Sequence, residues 1–462
     1  MSDYKKIKEK LFYDNKNAFL RLEEDEINKA FDFCEGYKQF LNLAKTEREA
    51  AAAATVLAEQ KGFKPFSRDK KYKCGDKVYF NNRGKAVAFA VFGEEKAECG
   101  VKITAAHIDS PRLDLKPNPL YEDVEFALFK THYYGGIKKY QWPTVPLSLH
   151  GVFAKKDGSV LTVSIGENAG EPQFVVNDLL PHLAKEQEKR TLSDGVRGEE
   201  LNVLIGSRPF KDDEGSELVK LNILNLLNEK YGITEEDFLS AELEMVPAAK
   251  ASDIGFDRSL VGAYGQDDRV CAYSELAAIL EVEKPRKTAV AILADKEEIG
   301  SDGNTGLNSA FLSHVIHDIC LNDDSDETIC LRHSSCLSAD VNAGMDPTFQ
   351  DVIEKRNASY LNHGVVVTKY TGARGKSGTS DASAEYVAKI RAMLDKAGII
   401  WQTGELGKVD IGGGGTVAMY IANLGVDVVD LGVPVLSMHA PFEVTAKLDV
   451  YMCNRAMYEF MK

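Results

Sequence analysis

Between Val101 and Met438 the chain carries four apolar runs of strand length, and each stops abruptly at a histidine or a carboxylate. VKITAA hands over to His107-Ile-Asp109, and TAVAILAD to Lys296-Glu297-Glu298. CLSA ends in Asp340, and VPVLSM ends in His439. Helical segments such as DRVCAYSELAAILEVE and DASAEYVAKIRAMLDKAG stand between them, so the pattern predicts an α/β fold with a mostly parallel sheet flanked by helices. Open sheets of this kind gather ligands at the carboxyl ends of their strands. Those four ends, joined by Asp267 and Asp268 of GQDDRV just ahead of a helix, are therefore expected to meet in space.

A chain of 462 residues is too long for one small module. Residues 118–240 differ in texture from the rest, with short β-like pieces such as LSLHGVFA and SVLTVSIG between turn residues. They read as a β-rich domain inserted into a discontinuous first domain of residues 1–117 and 241–462. From about residue 245 strand-like text returns with AELEMVPA. Net charge is −15, from 71 acidic and 56 basic residues, which argues against nucleic acid or an anionic membrane as partner. The charged N-terminal text lacks the apolar core of a signal peptide, and the eight cysteines form no C-x-x-C pair. A cytoplasmic protein with reduced thiols is expected.

Two imidazoles with several carboxylates form the nitrogen and oxygen donor mixture that suits zinc, with cobalt or manganese as substitutes. About five such ligands exceed what one ion needs while keeping an open position. A carboxylate shared by two ions about 3.5–4 Å apart is the economical arrangement. Glu298 then serves as a ligand while its neighbour Glu297 stays free as a general base. Asp109 holds the first imidazole or its loop, since a ligating histidine donates its other N–H to a carboxylate or carbonyl. Taken singly, each has a bland reading: His107 as a loop histidine, Glu297-Glu298 as a solvated turn, Asp267-Asp268 as a helix cap. Only their joint occurrence at strand ends reverses that balance.

Three other features resemble sites, and the first two of them break the rule. His314-x-x-His317 lies on an amphipathic helical segment without the glutamate of a metalloprotease helix. Gly372-Ala-Arg-Gly375-Lys376-Ser377 has two residues between its glycines where a phosphate loop needs four. Gly412–Gly415 offers backbone N–H groups or merely a tight turn.

The motifs AAHIDSPRLDLKP, QDDRV, DKEEIGS, LSADVNA and VDVVDLGVPVLSMHAP, in that order, resemble the aspartyl aminopeptidase family of cytosolic dinuclear zinc peptidases. The resemblance implies a zinc-peptidase domain interrupted by a β-rich dimerisation domain, and tetrahedral assemblies of twelve subunits built from dimers. It implies two metal ions held by His107, Asp340, Glu298 and His439 with Asp267 between them, Glu297 as base and Asp109 as its supporting carboxylate. It also implies that a histidine from a neighbouring subunit's inserted domain, His182 here, meets the substrate. Eukaryotic members carry histidines after the metal-binding aspartate, where this chain has Ala343 and Asp346-Pro347. An acid there disfavours an acidic N-terminal residue, and Lys369 is the residue that would restore the preference by pairing with a substrate carboxylate. The expected reaction is removal of the N-terminal residue from short peptides. The alternatives are a carboxypeptidase or deacylase on the same scaffold, or an assembly protein without catalysis.

Overall fold

The computed structural model describes residues 3–13, 15–211 and 215–462. Its largest sheet has nine strands. In spatial order they are Lys64–Pro65, Lys77–Asn82, Ala86–Val91, Ala289–Ala294, Lys102–His107, Ser335–Ser338, Asp427–Gly432, Val365–Thr368 and Trp401–Thr403. The four strands from Ala289–Ala294 to Asp427–Gly432 are mutually parallel, so their carboxyl ends lie along one edge. Antiparallel neighbours on both sides make the sheet mixed.

Near-continuous apolar text in these strands follows from burial on both faces. In Ala289–Ala294, Ala289, Ala291 and Leu293 enter one core while Val290, Ile292 and Ala294 enter the other. The first core is covered by helices Glu24–Leu43, Glu47–Gln60, Gln266–Glu281, Ala384–Lys396 and Lys447–Met461. Helices Phe311–Asp323, Glu327–His333 and Ala418–Ala422 cover the second. The expected α/β architecture is the one the chain adopts.

A second, antiparallel sheet of seven strands is built from the chain between Arg112 and Pro247, around a separate core that includes Trp142, Phe129 and Phe153. The AELEMVP strand, Ala241–Pro247, pairs in the middle of this sheet and not with the nine-stranded one. A third sheet of five strands adds Ser252–Ile254, Leu260–Ala263, Glu443–Ala446, Pro434–Leu436 and Asn342–Ala343. It also divides DVVDLGVPVLSM: Asp427–Gly432 belongs to the nine-stranded sheet, whereas Pro434–Leu436 belongs to the third. Pro434 has no N–H to give to a ladder, which suits a crossing point between sheets.

Buried ions join the helix Glu47–Gln60 to the seven-stranded sheet. Arg112 faces Asp114 at 2.8 Å, Glu244 at 3.2 Å and Glu47 at 3.4 Å. His150 meets Glu49 at 2.7 Å and Glu167 at 3.1 Å, with Lys45 on Glu167 at 2.9 Å. Removing one partner of such a pair costs about 3–5 kcal/mol, because the other charge stays buried alone. The seam therefore fixes how the two sheets meet. All eight cysteines are free thiols, and among the described residues no helix is long and apolar enough to cross a membrane.

Candidate metal centre

The parallel edge of the nine-stranded sheet delivers its side chains to one point. His107 is the last residue of its strand, and Asp340 follows Ser335–Ser338 by two residues. Lys296, at φ 68°, turns the chain after Ala289–Ala294 into the short helical turn Glu297–Ile299. The third sheet supplies His439 from the loop between Pro434–Leu436 and Glu443–Ala446, where Ser437 and His439 adopt φ of 58° and 65°. Such values are uncommon outside glycine and mark a backbone held by its surroundings.

Asp267 and Asp268 open the helix Gln266–Glu281, and the peptide between them is cis. Neither caps the helix. The turn into it requires Gly265, at φ 72°, since a Cβ there would lie 1.8 Å from Nη1 of buried Arg269.

Asp267 lies between the two imidazoles, its Oδ1 at 3.3 Å from Nε2 of His107 and its Oδ2 at 3.0 Å from Nε2 of His439. Nε2 of His107 is also 3.8 Å from both Glu297 and Asp340, and Nε2 of His439 is 3.5 Å from Glu298. Ligand-capable atoms of His107, Asp268 and Asp340 lie within 4.8 Å of one another. The same is true of His107, Glu297 and Glu298, and of Asp267, Glu298 and His439.

Each imidazole has its outer nitrogen committed. Nδ1 of His107 donates to the Asp109 carbonyl at 3.0 Å, and Nδ1 of His439 donates to the Gly136 carbonyl at 2.7 Å. A carbonyl only accepts, so each ring carries a proton on Nδ1 and leaves Nε2 as the nitrogen that faces the acids. That is the orientation a metal ligand needs.

Asp109 stands behind the cluster and organises it. Its carboxylate accepts the backbone N–H of Glu297 and of Glu298, each at 3.1 Å, and the hydroxyl of Tyr134 at 2.8 Å. Burial opposes its ionisation, but His107, Tyr134 and Arg112 more than offset this and hold it below the usual carboxylate range. Glu443 performs the same service on the other side. It accepts the N–H of His439 at 2.8 Å and of Asp267 at 3.1 Å.

The donor set fits divalent cations. Both oxygens of Asp268 and Oε1 of Glu298 are buried and have no hydrogen-bond partner among the described residues. Unpaired acids in such surroundings are expensive, and carboxylates this crowded need positive charge that two imidazoles do not supply. Burial and the carboxylates of Asp340, Asp109 and Asp267 push Glu297 up to about 8, against the pull of His107. Burial and Asp267 drive Glu298 well above the usual range. Burial also opposes charge on His439, yet Asp267 and Glu298 raise it to about 10. Acids pushed up beside bases pushed up are the mark of a functional cluster.

The structure thus brings together His107, Asp109, Asp267, Glu297, Glu298, Asp340 and His439. It does not bring His182 or Lys369 among them. His182 is exposed in the turn Pro181–Leu183 of the seven-stranded region. Lys369 is half-exposed and forms an ion pair with Asp381, beside a separate cavity lined by Tyr370 and Trp401. Asp346 accepts the N–H of Thr348 at 2.7 Å in a local turn.

Sequence reasoning missed Tyr134, Gly136 and Glu443. The first two come from YYGG at the end of the strand Phe126–Tyr134, in the seven-stranded sheet. Gly135, at φ 75°, passes so close that a Cβ would sit 3.2 Å from Oε2 of Glu298. A pair of glycines after a strand was the available signal for close backbone approach. Glu443 had a weaker one, an acid four residues beyond His439.

Comparison with known proteins gives one answer at every level. A profile of the family described as Aminopeptidase I zinc metalloprotease (M18) matches residues 40–461. The "Probable M18 family aminopeptidase 1" of Clostridium acetobutylicum is 50% identical over 459 residues, covering 98% of this chain and 99% of that protein. The crystal structure of an M18 family aminopeptidase from Thermotoga maritima superposes with a TM-score of 0.93 at 44% identity, covering 98% of this chain and all of that one. At 21% identity and a TM-score of 0.75, the yeast mApe1 dodecamer shares the fold over 95% of this chain and 97% of its own.

Proposed function

The chain belongs to the M18 family of zinc metalloproteases and is a metalloaminopeptidase; from that premise we propose that it uses a dinuclear centre to release the N-terminal residue of short peptides. The observation that carries this reading is Asp267, with one oxygen toward each imidazole at 3.3 and 3.0 Å. A carboxylate so disposed is the shape of a bridge. His107 and Asp340 would hold one ion and Glu298 and His439 the other, with zinc the family's metal. When bound, a pair of zinc ions polarises the scissile carbonyl and lowers the pKa of the attacking water.

Glu297 has the position of the general acid and base, 3.8 Å from Nε2 of His107 and beside Glu298. It is poised to take a proton from water and return it to the leaving amine. Asp109 fixes the backbone of Glu297 and Glu298 and the tautomer of His107. Asp268 and its neighbours leave the cluster acidic enough to receive a free α-amino group, which accounts for a preference for chain ends. His182 is proposed to serve a neighbouring subunit's site, and self-association is supported by the shared fold of the yeast dodecamer. An N-terminal residue that is acidic or neutral and a cytoplasmic location complete the proposal; Lys369, paired with Asp381 beside a separate cavity, gives no support to the acidic choice. A tetrahedral dodecamer built from dimers, joined through residues 118–240, is the assembly proposed.

A reporter panel with varied N-terminal residues, free or N-acetylated, tests the reaction with and without a chelator. Activity confined to free amines and abolished by chelation is expected. Cleavage of blocked peptides at the carboxyl end would replace the aminopeptidase reading with a carboxypeptidase.

Tyr134→Phe removes one hydroxyl from the support of Asp109. A hydrogen bond to a charged acceptor is worth about 1.5–3 kcal/mol, so kcat should fall by about ten- to hundredfold. KM and metal content should stay near wild type, because nothing that touches substrate or metal has changed. Steady-state kinetics with metal analysis reads both, and unchanged kcat would mean that the hydroxyl plays no part.

A further inference from the structure

The amino-terminal edge of the nine-stranded sheet, opposite the metal centre, opens on a cavity of about 470 Å³. Lys102 and Asp427 begin two of the strands there, and Ser335 begins a third. Five cations line it: Lys102, Lys287, Arg332, Lys389 and Lys462. Only two carboxylates do, Asp427 and Glu459. In a chain of net charge −15 this is a local reversal of sign.

Internal pairing does not absorb the charge. Lys462 pairs with Glu459 at 2.5 Å. Lys287 donates to the carbonyls of Cys99 and His333. Lys102, Arg332 and Lys389 have no carboxylate partner among the described residues. Nζ of Lys102 donates to the Ser335 hydroxyl at 3.0 Å and lies 4.5 Å over the ring of Phe460. Burial, followed by repulsion from Lys287 and Lys389, pushes that amine down to about 8. An anion would relieve this repulsion.

We propose that this cavity binds a small multiply charged anion bearing a phosphate group. Three unneutralised cations call for more than the single charge of a peptide carboxylate. Lysine is a natural phosphate partner, offering a compact point charge with rotatable donors. The volume suits a small metabolite. Five strand steps separate Lys102 from His107, about 17 Å, so the ligand does not touch the metal centre.

Isothermal titration of the metal-loaded enzyme with inorganic phosphate, and separately with adenosine monophosphate, tests the proposal. Saturable binding is expected, weakened at least tenfold in Lys102→Met/Lys389→Met and by added salt. Arg332→Met/Lys389→Met guards against misfolding, because both side chains are exposed on helices and their loss leaves the cores intact. Peptidase kcat should be unchanged in this second variant. Tighter binding of adenosine monophosphate would assign the rest of the cavity to the nucleoside, and equal binding would confine recognition to phosphate. No saturable heat, or equal affinity in wild type and both variants, would overturn the proposal, the latter by moving phosphate to the metals.

Discussion

Glu297→Gln leaves the protein folded and metal-loaded while turnover falls by about 10²–10⁴-fold, the usual worth of a positioned general base. The substitution keeps volume and shape but removes the ability to accept a proton. Its backbone N–H still donates to Asp109, so the turn that carries Glu298 is undisturbed. Without metal, burial and the carboxylates of Asp340, Asp109 and Asp267 raise the proton affinity of Glu297 against the pull of His107. Metal analysis beside single-turnover kinetics checks the two halves. Normal metal with normal turnover would remove Glu297 from the base role. Loss of metal together with activity would make it a ligand.

The sequence made the strand ends legible because burial on both faces leaves little freedom: an apolar run that must stop does so at a polar side chain. VKITAA, TAVAILAD and CLSA each stop at the cluster. Sheet membership was less legible. AELEMVP and VPVL read as strands of the nine-stranded sheet, yet they pair in the other two, because a strand's own residues do not name its neighbour. Asp267 and Asp268 read equally well as caps, and only tertiary packing turns them inward. Tyr134 and Gly136 were invisible for a different reason. They act through one hydroxyl and one carbonyl from a distant sheet, and no spacing rule describes a contact between two sheets joined by folding alone.

Asp267→Asn should reduce bound metal from the two ions per chain proposed above to one or none, with activity down by about 10³-fold or more. The amide keeps the size of the acid, and its backbone contacts remain: Ser110 donates to the carbonyl at 2.6 Å and the N–H reaches Glu443 at 3.1 Å. What changes is electrostatic. One of the two atoms now facing His107 and His439 becomes an N–H₂, which offers no lone pair to a cation. The negative charge shared by the two sides also disappears. Several kcal/mol of charge stabilisation is at stake, and each 1.4 kcal/mol is about tenfold in rate. Metal content by mass spectrometry, read with kcat and a thermal melt, separates the outcomes. Two ions and normal turnover would exclude a bridge at Asp267. A single ion with full turnover would make the centre mononuclear, leaving Glu298 and His439 without a catalytic role.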